Sequence, residues 1–259
     1  MPHSVINMGL GVLAAWLCLF LHELGHVVAG IAVGFRFQLL ALGMLRIDRG
    51  ADDRVRIGWN RDPRLAGGVG GAVPIDTERL RPRFAVQVVG GPLASLLVAL
   101  AAHLALLTWP GAPWIPRVTL EWVRLLSAMV GVGTLLPIKN GAFVNDGLRF
   151  LRLIGRGPMA EREAGLLVWC AEEAMGIPAR ERDLASLTRV LAVRDGSMFE
   201  CQGWLWACAR ARELGRLDEA ADALDRARPL AARAPAELRD SCDREAAAIA
   251  AARGAPPRS

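Results

Sequence analysis

The stretch VINMGLGVLAAWLCLFLHELGHVVAGIAVG, Val5–Gly34, decides how this chain reads. It is a nearly unbroken apolar run, longer than the ~20 residues that cross a hydrocarbon core, so it is expected to tilt or to end outside that core. Inside it sit His22, Glu23 and His26. An ionisable side chain at membrane depth costs at least about 2.5 kcal/mol, so such residues persist mainly where they serve a function. Positions i and i+4 share one helix face, which lets His22 and His26 address a single ion, with Glu23 next to them to act on a water that the ion holds. This is the H-E-x-x-H pattern of zinc hydrolases. Average residue frequencies give a chance occurrence of about 1% in a chain of this length, and less within an apolar run.

Working outward, the composition agrees with a membrane setting. Of the 259 residues 53% are hydrophobic, with positive mean hydropathy, which points to several spans rather than one soluble domain. The net charge of +5 comes almost wholly from arginine, Lys139 being the single lysine. These arginines gather in segments that flank the apolar runs, a pattern of membrane orientation rather than of nucleic-acid binding. Cys18 lies in the first span and Cys170, Cys201, Cys208 and Cys242 lie after residue 155. An odd count with no C-x-x-C pair argues against a disulfide framework and a cysteine metal site, and fits a reducing compartment. The N-terminus lacks the basic residues of a signal peptide, so the first span is expected to be retained.

The predicted organisation is a membrane core over 1–154, a helical domain over 155–252 and a disordered tail over 253–259. Spans are expected at about 5–34, 84–107 and 118–138. Between the first two lies a polar segment, 35–83, with ten arginines against six acidic residues. Its Phe35–Leu39 and Val55–Trp59 pieces read as short strands of a hairpin-like element, and Gly67–Gly71 reads as a glycine-rich loop. Basic residues mark this segment as cytoplasmic, so the N-terminus is outside and the C-terminal domain cytoplasmic. Trp109, Trp114 and Trp122 would form an interfacial belt at the outer connection. His103, in the second span, reads as a packed histidine rather than a further ligand. In the C-terminal domain, Trp204 to Ala227 reads as a helical hairpin of tetratricopeptide type, with Gly215 at the turn and a second turn at Ala174–Pro178, or equally as part of a plain helical bundle. The expected class is thus an all-α membrane protein with a small hairpin-like loop.

A catalytic zinc takes three protein ligands and leaves one position open. The third candidate is Asp146, in the Pro137–Gly147 segment at the cytoplasmic end of span three. With that acid in place the chain resembles the site-2 protease family of intramembrane zinc metalloproteases, on three features: the H-E-x-x-H of span one, the Gly90-Gly91-Pro92 break in span two, and Asp146-Gly147 after span three. The resemblance covers roughly 5–154. It implies one Zn2+ per chain held by His22, His26 and Asp146, with Glu23 as catalytic base, and it places Gly90, Gly91, Pro92, Ser95, Thr134 and Asn145 near the substrate. Two departures stand out. Ser95 and Thr134 occupy positions where the family often carries asparagine, and Asn145 replaces the leucine usual before the acid, with Asp146 nine positions after Pro137.

The implied function is an endopeptidase that cuts a transmembrane segment of a single-pass membrane protein, or a membrane peptide, in a bacterial cell membrane. Its partners would be that substrate, the lipid bilayer and a protein bound by the C-terminal domain, with no nucleic acid. The alternative is a non-proteolytic membrane scaffold or immunity-type binding protein that retains the metal site. An intact Glu23 favours the enzyme, because a purely structural site needs no base.

Overall fold

The computed structural model describes residues 2–50, 52–140 and 143–254. The chain divides into two compact units, Met1–Ile75 with Arg81–Leu151, and Asp76–Leu80 with Arg152–Ser259. In the first unit three helices, α1 (Pro2–Ala32), α2 (Leu80–Thr108) and α3 (Trp114–Leu135), are long and apolar enough to cross a membrane. Their outward faces carry large apolar side chains, with Val12 68%, Leu97 56% and Met129 61% exposed; a water-soluble unit of this size keeps few such contiguous faces. The third span stops at Leu135, earlier than expected. Leu136 precedes Pro137 and adopts an extended conformation, φ −63° and ψ 130°, because a proline ring disfavours helix in the residue before it.

Small residues and a few polar pairs join these helices, the usual means of packing where lipid is the solvent. Gly25 of α1 meets Gly90 of α2 so closely that a Cβ on either would strike the other's backbone. On α3, Trp122 Nε1 donates to Asn7 Oδ1 at 2.9 Å and Ser127 Oγ donates to Cys18 Sγ at 3.0 Å. Trp122 therefore turns inward to α1, while Trp109 and Trp114 stay exposed. The expected break at Gly90-Gly91-Pro92 is absent, and α2 runs on through a fully buried Pro92. The one lost hydrogen bond is tolerated where neighbouring helices pack around the proline.

The segment between α1 and α2 is more than a hairpin. Strands β1 (Arg36–Leu42), β2 (Leu45–Arg49), β3 (Val55–Trp59) and β4 (Val69–Val73) form an antiparallel sheet of order β3-β2-β1-β4. The fold is thus mainly helical with a small sheet, and the expected glycine loop is in part a strand. β4 lies so close to α1 that a Cβ at Gly70 would collide with the Glu23 backbone. Glycine here marks backbone pressed against backbone. After α3, two-residue strands β5 (Lys139–Asn140) and β6 (Phe143–Val144) pair antiparallel and lead into α4 (Asp146–Ile154).

The second unit is helical: α5 (Pro158–Ala174), α6 (Leu184–Leu191), α7 (Met198–Glu213), α8 (Leu217–Ala231) and α9 (Ala236–Gly254). α7 and α8 form the expected hairpin. It turns at Gly215, φ +75°, where Arg216 N–H reaches back to the Ala211 carbonyl at 2.9 Å, a Schellman closure. Ala220, Ala223 and Ala227 pack against Cys201, Leu205 and Cys208 in its core. Burial pushes the Cys201 thiol up to about 11 and the Cys208 thiol to about 12, so both act as inert small hydrophobes. The described cysteines are all free, as the odd count implied. Of the expected tail, residues 253–254 belong to α9 and 255–259 lie outside the described residues.

Candidate metal centre

His22, His26 and Asp146 come together as a group that can hold a metal ion. The two histidines share one face of α1, and Asp146 arrives from the first turn of α4. The edges of the ligand triangle are 3.3 Å between the two Nε2 atoms, 3.3 Å from His22 Nε2 to Asp146 Oδ2, and 3.6 Å from His26 Nε2 to the same oxygen. Ligand atoms held about 2.0–2.1 Å from a four-coordinate ion lie about 3.3–3.4 Å apart, so the triangle has the right size.

The outer hydrogen bonds aim these atoms inward. His26 Nδ1 lies 2.9 Å from the Gln87 carbonyl, which can only accept, so Nδ1 carries the proton and Nε2 presents its lone pair. His22 Nδ1 lies 2.9 Å from Ser95 Oγ, which is 1% exposed. The two rings are themselves 4% and 8% exposed by residue. Two buried imidazole lone pairs and a carboxylate that converge at these distances repel one another unless a cation lies between them. The donor set therefore fits a divalent metal ion with nitrogen and oxygen preference.

Asp146 is delivered by its neighbours. Asn145 is buried and caps α4: its Oδ1 accepts from Leu148 N–H at 3.3 Å and Ile138 N–H at 3.1 Å, while its Nδ2 donates to the Leu136 carbonyl. The carboxamide expected to face substrate is thus spent on the protein's own backbone. Gly147 is required by close approach, since a Cβ there would run into the Leu135 backbone. Gly147→Ala is accordingly expected to push α4 off the end of α3 and cost metal affinity about 10–100-fold, the range seen when a ligand loses its support. A chelator-competition titration of the purified variant measures this, and wild-type affinity contradicts it.

The remaining sequence candidates divide. Gly91 sits under the His26 ring, where a Cβ would overlap it. Ser95 orients His22, as above, so it acts on a ligand. Thr134, half-buried, donates to the Gly131 carbonyl at 3.4 Å. Gly90 and Pro92 serve packing between helices. His103 is exposed on α2, outside the metal group. Gln87 was missed altogether, although an amide buried within an apolar span is a signal of function.

The metal group lies in a cleft of about 750 Å³ whose lining includes Glu23, Gly68, Gly70, Thr134 and Asn145. The Glu23 carboxylate lies beside the Gly70 backbone amide. Burial pushes the Asp146 carboxyl up, but protons shared with the His22 and His26 imidazoles, which stand in for the cation when no metal is bound, outweigh this and bring it to about 2. A lowered pKa keeps the carboxylate charged until pH falls through that value, so protons compete with metal at the imidazoles alone. Metal affinity is expected to fall as pH falls, by at most about a hundredfold per pH unit, one decade for each histidine protonated. A pH series of competition titrations checks the slope, and a third proton in that slope contradicts the ligand assignment. No family model, curated protein or solved structure matches this chain.

Proposed function

We propose that this chain is an intramembrane zinc endopeptidase. One observation carries the reading: Glu23 opens into the same cleft as three convergent ligand atoms, on a helix apolar enough to cross a membrane. His22, His26 and Asp146 hold the zinc, one ion per chain. Zinc bound there supplies Lewis acidity toward a carbonyl and lowers the pKa of water. Glu23 takes the proton of the attacking water and passes it to the leaving amine. Ser95 and the Gln87 carbonyl keep the two imidazoles oriented throughout.

α1, α2 and α3 span a bacterial membrane as a multi-pass protein, with the N-terminus outside and both the sheet and the helical unit cytoplasmic. The arginine-rich 35–83 segment supports this orientation. The substrate is a transmembrane segment of a single-pass protein or a membrane peptide, which must unwind because helical peptide bonds are internally paired. Its extended chain lies beside β4, the edge strand whose Gly70, with Gly68 just before the strand, borders Glu23, by strand addition. The helical unit binds a protein partner that presents or withholds substrate. Reconstitution in liposomes with single-span reporter proteins tests the reading. Cleavage that stops with a chelator and returns with zinc is the expected result, and cleavage indifferent to the chelator excludes it.

A further inference from the structure

The charged residues of α3 form a single ridge. Arg117, Glu121 and Arg124 stand at i, i+4 and i+7, so they share one helix face, and all three are exposed. The helix starts at Trp114, which sets Arg124 about 15 Å along it at the usual rise per residue. An arginine that deep in an apolar span is retained mainly where its charge is used. The ridge itself does not neutralise it. Arg117 Nε lies 3.3 Å from Glu121 Oε1, so the one carboxylate of the ridge is taken. Arg124 has no carboxylate partner among the described residues.

Side chains on a helix lean toward its N-terminus, and a long cationic one stretches further to keep its head out of hydrocarbon. For Arg124 both effects point to the Trp114 end of α3, away from the Leu135 end that Gly147 abuts beside the metal group. There the ridge borders a groove of about 240 Å³, whose other walls are Leu106 in the last turn of α2, Trp109 and Pro110. Trp109 is 50% exposed, and an indole at the end of a span sits at headgroup level. Two guanidiniums and one carboxylate leave the groove one net positive charge. The anion abundant at this depth is the phosphodiester of a phospholipid, which a guanidinium meets with paired N–H donors. A neighbouring protein helix would have to bring a carboxylate to the same level, whereas every phospholipid brings a phosphate.

We propose that this groove binds an anionic phospholipid, its phosphate held by Arg124 and Arg117 and its glycerol against Trp109, in the leaflet away from the metal group. The net charge of the groove favours a headgroup with one negative charge over a zwitterionic one. The inference rests on α3 crossing a bilayer and does not need the endopeptidase reading.

The test titrates the full-length protein in detergent with phosphatidylglycerol or phosphatidylcholine of equal chain length, and native mass spectrometry counts the bound lipid. Wild type is expected to prefer phosphatidylglycerol. Arg124→Gln should bind that lipid about tenfold more weakly, the worth of one hydrogen bond to a charged group, and lose the preference. Arg124→Lys, which keeps the charge, should retain it. Arg117→Gln frees Glu121 to take Arg124, three residues on, and should weaken binding as well, so it decides the matter if Arg124→Gln does not fold. Arg61→Gln, at an exposed arginine of the 35–83 segment, is the control and should bind as wild type does. Zinc content should be the same in every form, since the metal group lies at the other end of α3.

Equal binding by wild type and Arg124→Gln overturns the proposal. Displacement of the lipid by excess inorganic phosphate makes the groove a site for a free anion and overturns it too. So does a second protein chain that co-purifies in equal amount and is lost with Arg124→Gln. A wild-type chain that stays monomeric in buffer without detergent overturns the membrane reading along with the lipid site. Absence of reporter cleavage by a wild type that shows the lipid preference removes the endopeptidase reading and leaves the lipid site standing.

Discussion

Asp146→Asn is expected to lower metal affinity by more than about a hundredfold, beyond the range that follows from loss of a ligand's supporting contact, while the fold persists. The substitution preserves size and leaves the Asn145 cap and the Gly147 contact in place. It removes the one negative charge among the three ligand atoms and puts a weakly coordinating amide oxygen, or an amide nitrogen with no lone pair to offer, at the third corner. The two imidazoles then hold the ion without charge compensation in a site where both rings are buried, and a cation in such surroundings is poorly tolerated. Metal analysis of protein purified from membranes, beside circular dichroism of the same sample, separates the effects. Full metal content in the variant would place the third ligand elsewhere.

Glu23→Gln is expected to leave metal content unchanged and to reduce peptide hydrolysis by about 10²- to 10⁴-fold, the usual contribution of a positioned acid or base. Glutamine keeps the shape of the side chain and an oxygen for the Gly70 amide, but it cannot take a proton from water at neutral pH. Loss of both metal and activity would make Glu23 a ligand. Retained activity would require a different base, and among the cleft residues Asp146 is the other carboxylate. Product formation from a reporter substrate, measured with metal content on the same preparation, decides among these.

The histidine pair was legible because its spacing is a property of one helix: residues at i and i+4 meet regardless of what lies around them. The same holds for the three apolar runs, whose helices begin and end within a few residues of the expected bounds. The companions of the site were not legible in this way. That Ser95 reaches His22, and that the Gln87 carbonyl reaches His26, depends on how α2 crosses α1 at Gly25 and Gly90, and a one-dimensional pattern carries no crossing angle. Gly67–Gly71 reads as a loop because glycine clusters usually are loops. Here part of it is a strand, in which Gly70 is pressed against the backbone of Glu23. The resemblance places Asn145 near the substrate, and the structure adds hydrogen bonds that tie its side chain to the protein's own backbone. A residue's neighbourhood in sequence located the site, while its role came from the tertiary contacts.

The most direct measurement is quantitative membrane proteomics on three otherwise identical strains of the source organism: wild type, a deletion of the gene, and one carrying Glu23→Gln. If this chain is an intramembrane endopeptidase, deletion and Glu23→Gln accumulate the same uncut membrane protein or fragment, which is then the substrate. If Glu23→Gln matches wild type while the deletion differs, the metal site does not catalyse the event on which the cell depends. The chain then acts as a membrane-bound scaffold.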